Sequence, residues 1–271
     1  MNITILTNND LASNLALNQL LPALTADHRV QVFLSGRVGG SGPSHPDLAM
    51  LKFLEQTLFT ELLFPALGDG VGEGRARYAG FSRLCADLGA GLAPLDRINS
   101  EPGLETLRGA APDLVLSIRY GGILRDAAIA VPRLGVLNLH SGLLPDYRGV
   151  MATFRAMDDG VDTIGTTLHY IRDAGIDTGD IVATSTRPVD YRSSYLANVL
   201  ALYPGGCELM LQAVASLAAG ETLETWPQPS GGNYYSFPDD TALQHFYARG
   251  CRLYDVDEIA AVARSYLESP L

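Results

Sequence analysis

The amino-acid sequence predicts an α/β fold: a Rossmann-like, mostly parallel twisted sheet with helices on both faces, plus a short C-terminal extension. Three observations predict it. Compact apolar runs at residues 2–7, 29–34, 113–118 and 135–140 read as buried strands. Segments with apolar residues at helical spacing separate most of them. Clusters of Gly, Pro, Asn and Ser mark the turns between. In such a sheet the site lies at the C-terminal ends of the strands.

Taken in order, residues 2–7 form a strand that meets Asn8-Asn9-Asp10, a turn and helix-cap cluster. A helix over 11–24 and a strand over 29–34 follow. Residues 36–46 and 68–74 read as Gly-rich breaks around a long amphipathic helix over 48–67. A helix at 78–88, a weak strand at 92–95, a helix at 104–108 and a strand at 113–118 come next. Residues 121–129 read as a helical return, 135–140 as a strand and 150–158 as a helix. Alternation at 166–171 and 181–186 predicts paired strands. Residues 195–219 form a long apolar helix interrupted by Pro204-Gly205-Gly206. The last fifty residues change character, aromatic and Gly-rich over 226–237 and then one or two short helices. The expected division is a catalytic domain over 1–220 and an extension over 221–271, on the substrate side or in a dimer contact.

The chain has 271 residues, 47% hydrophobic and 18% charged, enough for a sizeable core. The net charge of −11 argues against a nucleic-acid backbone as partner, because phosphate binding needs clustered Lys and Arg. The expected partner is a small-molecule amine, with no nucleic acid and no membrane, in a chain able to form a homodimer. Cys85, Cys207 and Cys251 are scattered and odd in number, which suggests isolated thiols. The N-terminus lacks the pattern of a signal peptide, and no run of about 18 apolar residues predicts a membrane span. Cytoplasm is the expected compartment.

The chemistry concentrates in residues 135–149, Gly-Val-Leu-Asn-Leu-His-Ser-Gly-Leu-Leu-Pro-Asp-Tyr-Arg-Gly. Asn138 and His140 are two apart, so on a strand they share one face, roughly 6–7 Å apart along the chain. An amide donor beside an imidazole suits a polarised carbonyl. Downstream, Asp177 sits in the tight loop Ala174-Gly175-Ile176-Asp177-Thr178-Gly179. Reaching His140, it would orient the imidazole; otherwise it is a turn former. No metal-ligand spacing occurs, and no metal is expected.

Asn138-Leu139-His140, Leu143-Leu144-Pro145, Tyr147-Arg148-Gly149, Gly165-x-Thr167-x-His169 and Asp177-x-Gly179-x-Ile181, in this order, resemble the folate-dependent formyltransferase family. The strict match runs over 113–181 and a looser one over 1–220. The resemblance implies a 10-formyltetrahydrofolate-dependent N-formyltransferase. Asn138, His140 and Asp177 fall on the family's catalytic residues. Tyr120, Gly121, Gly122, Ile123 and Leu124 fall on the loop that receives the pterin, with Gly175 and Ile176 closing its other side. Thr167 and His169 would support Asp177, or be strand residues satisfied within the core. Asn9, Arg148 and Tyr234 are the candidate acceptor contacts. Arg148 suits either an anionic group or a carboxylate pair. The tail aromatics suit either a sugar or base, or docking on their own domain or a partner chain.

Among acceptors, a nucleotide-linked amino sugar is favoured and an amino-acid precursor of siderophores comes second. The alternatives are a methionyl-tRNA formyltransferase-like enzyme or a formyltetrahydrofolate hydrolase. The turn Asn8–Asn14 lacks phosphate-loop glycines and adds a carboxylate, against a glycinamide ribonucleotide acceptor. A dinucleotide-binding oxidoreductase lacks its Gly-x-Gly-x-x-Gly here, and a non-catalytic relative would not need Asn138, His140 and Asp177.

Overall fold

The computed structural model describes residues 1–36, 45–68 and 76–267. Most of the two expected Gly-rich breaks, at 36–46 and 68–74, lies outside them. Seven strands form one twisted sheet: β1 (Asn2–Asn8), β2 (Arg29–Ser35), β3 (Gly91–Pro94), β4 (Leu114–Ile118), β5 (Val136–His140), β7 (Thr163–Ile171) and β8 (Ile181–Pro188). Their order is β3-β2-β1-β4-β5-β7-β8. The first five are mutually parallel, and β7 and β8 are antiparallel. β6 (Tyr147–Gly149) pairs with β9 (Asn233–Tyr235) in a small separate sheet.

The sheet's two faces follow from strand alternation. Ile3, Ile5, Leu114, Leu116, Ile118, Leu137 and Leu139 point into the larger core. There they meet α1 (Leu11–Asp27), α4 (Phe81–Leu88), α7 (Ala152–Asp159), α8 (Tyr195–Leu200) and α9 (Tyr203–Ala218). Leu6, Val115 and Val136 point the other way, toward α5 (Glu101–Gly109) and the short α6 (Asp126–Ile129). Asn138 and His140 continue the Val136 face. That thin layer leaves the C-terminal end of β5 for a site.

Three expected elements differ from the sequence reading. The helix expected over 48–67 starts as α2 (Pro46–Lys52), widens into π-helical turns at Phe53–Leu63 and ends as α3 (Phe64–Leu67). Only α6 of the return at 121–129 is helical, because Asn99 holds 123–125 in an open loop: its Nδ2 donates to Ile123 O and its Oδ1 accepts from Arg125 N. The break in the long apolar helix falls at Ala201–Leu202, not at Pro204-Gly205-Gly206; Pro204 lies in the first turn of α9, where its missing N–H leaves no bond unmade. Residues Tyr195–Ala218 are also long and apolar enough, by length and composition, to cross a membrane. In this fold Leu196, Val199, Tyr203, Met210 and Val214 of that segment are core residues.

The residues after 220 join the same core. α10 (Asp240–Ala248) and α11 (Val256–Arg264) contribute Leu243, Phe246 and Ile259. Phe246 lies 4.4 Å from Phe154 of α7, and Tyr266 packs on Phe59 and Phe64. All three cysteines are buried free thiols.

A buried charge cluster ties β1, β4 and the π-helical turns together. Asp10 caps α1 by accepting from Ser13 N at 2.7 Å, and accepts from Asn8 Nδ2 at 2.9 Å. Arg119, at φ 57°, donates from Nε to Asp10 at 3.0 Å and from its other end to Glu55. Burial pushes the Glu55 carboxyl up to about 7, against the pull of Arg119. Asp10 is fully buried, so Asp10→Ala both strips a helix cap and takes from Arg119 one of its two carboxylate partners. The expected loss is about 3–5 kcal/mol, read as a lower urea midpoint at unchanged slope.

Candidate active site

β5 delivers Asn138 and His140 to one face, and β7 brings His169 directly opposite Asn138. The loop between β7 and β8 folds back over this face and carries Asp177 at φ 55°. Its carboxylate lies between two imidazoles. Oδ2 is 3.5 Å from His140 Nδ1, and Oδ1 is 3.5 Å from His169 Nε2. The Gly149 N–H donates to Oδ2 at 2.9 Å. Burial works against the carboxylate's charge, but the neighbouring His140, then the His169 ring and the Gly149 N–H, outweigh it, holding the carboxyl at about 2.

The neighbours settle the tautomers. His140 Nε2 lies 2.6 Å from Tyr147 O, and a carbonyl only accepts, so Nε2 carries a hydrogen. Nδ1 is then the atom that meets Asp177. Gly142 allows this close packing: a Cβ there would stand 2.7 Å from His140 Nε2 and 2.8 Å from Tyr147 O. His169 Nδ1 lies 3.0 Å from Tyr170 O, so it is the donor and Nε2 faces Asn138 Nδ2 at 3.0 Å as acceptor. One N–H of the Asn138 amide is thereby fixed. The other lies toward Asp177 Oδ1 at 3.5 Å, long enough to turn to a developing oxyanion.

Asn138, His140, Asp177 and His169 therefore converge. Thr167 does not join them. Its hydroxyl donates to Gly142 O at 2.7 Å and accepts from Leu144 N at 3.1 Å, so it braces the loop after His140 rather than Asp177. In the 119–124 loop, Tyr120 Oη donates to Leu95 O at 2.6 Å and Gly121 N donates to Ser35 Oγ at 3.1 Å. Gly122 packs against the Tyr120 ring, where a Cβ would come within 2.9 Å. The apolar pair splits: Ile123 is 53% exposed, whereas Leu124 is buried in the smaller core. Ile176 is also exposed, beside Gly175, whose N–H donates to Asp173 Oδ1. Exposed apolar side chains on loops at the β4 end and beside Asp177 suit the two faces of a flat heterocycle.

Of the three candidate acceptor contacts, Arg148 and Tyr234 are register partners in the small sheet and Asn9 follows β1. Asn9 is held by its backbone N–H to Ser35 O at 2.9 Å. Arg148 leans on the tail, with Nη2 donating to Gly232 O at 3.4 Å. Tyr234 is 55% exposed opposite Arg148 in the small sheet. Sequence reasoning missed Gln228, whose amide reaches the Asp177 loop at 2.8 Å. It also missed the Asp10–Arg119–Glu55 cluster, which turns the Asp10 charge toward Arg119 and the α1 N-terminus instead of an incoming phosphate. A carboxylate in the first βα turn was the one available signal for that cluster.

A carboxyl held below its ordinary 3.8 stabilises the fold above about pH 4, and that contribution fades as pH falls through about 2. The stability gap between wild type and Asp177→Asn should narrow by on the order of 2 kcal/mol between about pH 5 and about pH 2. Urea unfolding across that range reads it, and a constant gap would mean those partners do not hold the carboxylate.

Comparison with known proteins agrees with this geometry. Residues 96–197 match the formyl transferase family model. Methionyl-tRNA formyltransferase of Chlamydia caviae is 37% identical over 129 residues, 47% of this chain and 39% of that protein. The Thermobifida fusca enzyme of the same name is 31% identical over 178 residues, 64% of this chain and 56% of that one. The chain thus spans about half the length of the curated relatives it matches. Among solved structures, a sugar 3N-formyl transferase with dTDP and 5-N-formyl-THF aligns at TM-score 0.57 and 17% identity, over 86% of this chain and 68% of that one. Glycinamide ribonucleotide transformylase 1 of Symbiobacterium toebii aligns at 0.56 and 17%, over 84% and 93%.

The expectation of a small-molecule amine partner and no nucleic acid is overturned, because these sequence relatives are methionyl-tRNA formyltransferases. The charge argument is weak for a physical reason: net charge sums over a whole surface and does not exclude a local basic patch. The chain thus carries a formyl transferase domain over residues 96–197, and its fold is that of solved formyltransferases.

Proposed function

We propose that this chain transfers the formyl group of 10-formyltetrahydrofolate to a primary amine, in the manner of the methionyl-tRNA formyltransferases it resembles in sequence. The observation that carries this reading is the convergence of Asn138, His140 and Asp177 around one point, inside the segment that matches the family model. In this reading residues 1–220 supply the chemistry and residues 221–271 brace the acceptor side. Ile123 and Ile176 contact the pterin.

The amine attacks the formyl carbon, a C–N bond forms, and the carbonyl oxygen gains negative charge. Asn138 meets that oxygen with its free N–H. Both nitrogens of His140 are engaged, by Tyr147 O and Asp177, so it acts on the oxyanion through its field and not as a direct donor. The attacking nitrogen loses a proton and the folate nitrogen gains one as its C–N bond breaks. A carboxyl at about 2 is a poor resting store for that proton. Asp177 thus passes it on through water while keeping His140 oriented. The products are an N-formyl amine and tetrahydrofolate.

The deciding assay gives the purified protein 10-formyltetrahydrofolate and methionyl-tRNA, and follows folate absorbance and formyl-methionyl product. Transfer to the charged tRNA supports the reading. Formate release without acceptor would make the chain a hydrolase, and no folate turnover of either kind would sink the proposal. Asn138→Ala should fold normally and lose about a hundredfold or more in kcat, on the order of 3 kcal/mol of transition-state stabilisation. His140→Ala with near-normal turnover would remove the imidazole from the mechanism.

A further inference from the structure

The tail between α9 and α10 runs along the edge of the Asp177 loop. Trp226 and Ile181 exchange two backbone hydrogen bonds, 3.0 Å and 2.9 Å, as the first rung of an antiparallel ladder. The next rung would join Gln228 to Gly179. Pro227 and Pro229 flank Gln228 and restrict its backbone. The side chain takes over instead. Gln228 Nε2 donates to Asp177 O and to Gly179 O, both at 2.8 Å, which uses both of its N–H groups.

These two carbonyls flank the strained part of the loop. Asp177 is left-handed at φ 55°, a conformation costing a non-glycine residue on the order of 1 kcal/mol or more. Gly179 is pressed against β7, where a Cβ would stand 1.7 Å from Tyr170 O. The loop is therefore held between β7 on one side and Gln228 on the other. The same tail then returns to the site as β9. Tyr235 O accepts from Val150 N at 2.9 Å, which braces β6 and with it the Gly149 N–H on the Asp177 carboxylate. One segment thus holds Asp177 twice, by its backbone and by its side chain.

We propose that Gln228 is a positioning residue for Asp177: its amide fixes the turn that lets one carboxylate span His140 and His169. The kinetic side of this inference rests on the formyl-transfer reading; the structural side does not. Two variants separate donor loss from packing. Gln228→Met matches the length of Gln and removes the N–H groups, and Gln228→Lys supplies N–H donors one bond further out. Gln228→Met should lower kcat about tenfold or more with KM values within about threefold, whereas Gln228→Lys should stay within about threefold of wild-type kcat. By carbon-13 NMR titration, the Asp177 carboxyl of Gln228→Met should move up toward the ordinary carboxylate range. That readout needs no activity, so it decides the positioning role even if the wild type proves inert toward formyl donors. Should Gln228→Met not fold, Gln228→Glu is the donor-free comparison. Equal kcat in the donor-free and Lys variants, or an Asp177 titration unmoved by donor loss, would overturn the proposal.

Discussion

The site depends on one carboxylate serving two imidazoles. Asp177 lies 3.5 Å from both His140 and His169, and its second oxygen also accepts from Gly149. Taking that charge out of water is costly unless partners surround it. The partners come from four places: β5, β7, the end of β6 and, through its backbone, the tail. Each is itself held by something further out. His140 is anchored on Tyr147 O, His169 on Tyr170 O, and the loop after His140 on Thr167. Removing the central charge would leave His140 Nδ1 and the Gly149 N–H without their common acceptor.

This arrangement explains why the sheet changes direction where it does. β5 is the last parallel strand, and β7 returns antiparallel beside it. Antiparallel pairing sets residues directly opposite one another, so Asn138 meets His169 and His140 meets Thr167. A parallel neighbour would need a crossover connection before it could supply such partners. The reversal also lets a short loop bring Asp177 back over the same face, only six residues beyond the end of β7.

Strands β1, β4 and β5 were legible because each is a compact apolar run buried on both faces. Asn138 and His140 stood out as polar residues at an alternation that otherwise carries Leu and Val. Asp177 was legible from its Gly-bounded turn and from the resemblance. The residues that escaped are those whose meaning depends on distant partners. Gln228 lies 51 residues from Asp177, and Arg119 lies 64 from Glu55 and 109 from Asp10. No local period encodes such pairings. Leu124 was misjudged for a related reason: two adjacent apolar residues in an irregular loop need not face the same way. The net charge of −11 is a sum over the whole molecule and does not by itself decide the partner.

The Asp10–Arg119–Glu55 cluster has a consequence for the opposite edge of the site. The N-terminus of a helix following β1 is an electropositive end that draws anions. Here that end already has its anion, supplied by Asp10 and tethered one residue before the helix. A tethered group acts at an effective concentration that a free ligand in solution rarely matches. Any external phosphate or carboxylate would have to outcompete Asp10 for Ser13 N, and would also disturb the ion pair that Arg119 makes at the mouth of β4. The first βα turn is in effect self-inhibited as an anion receptor.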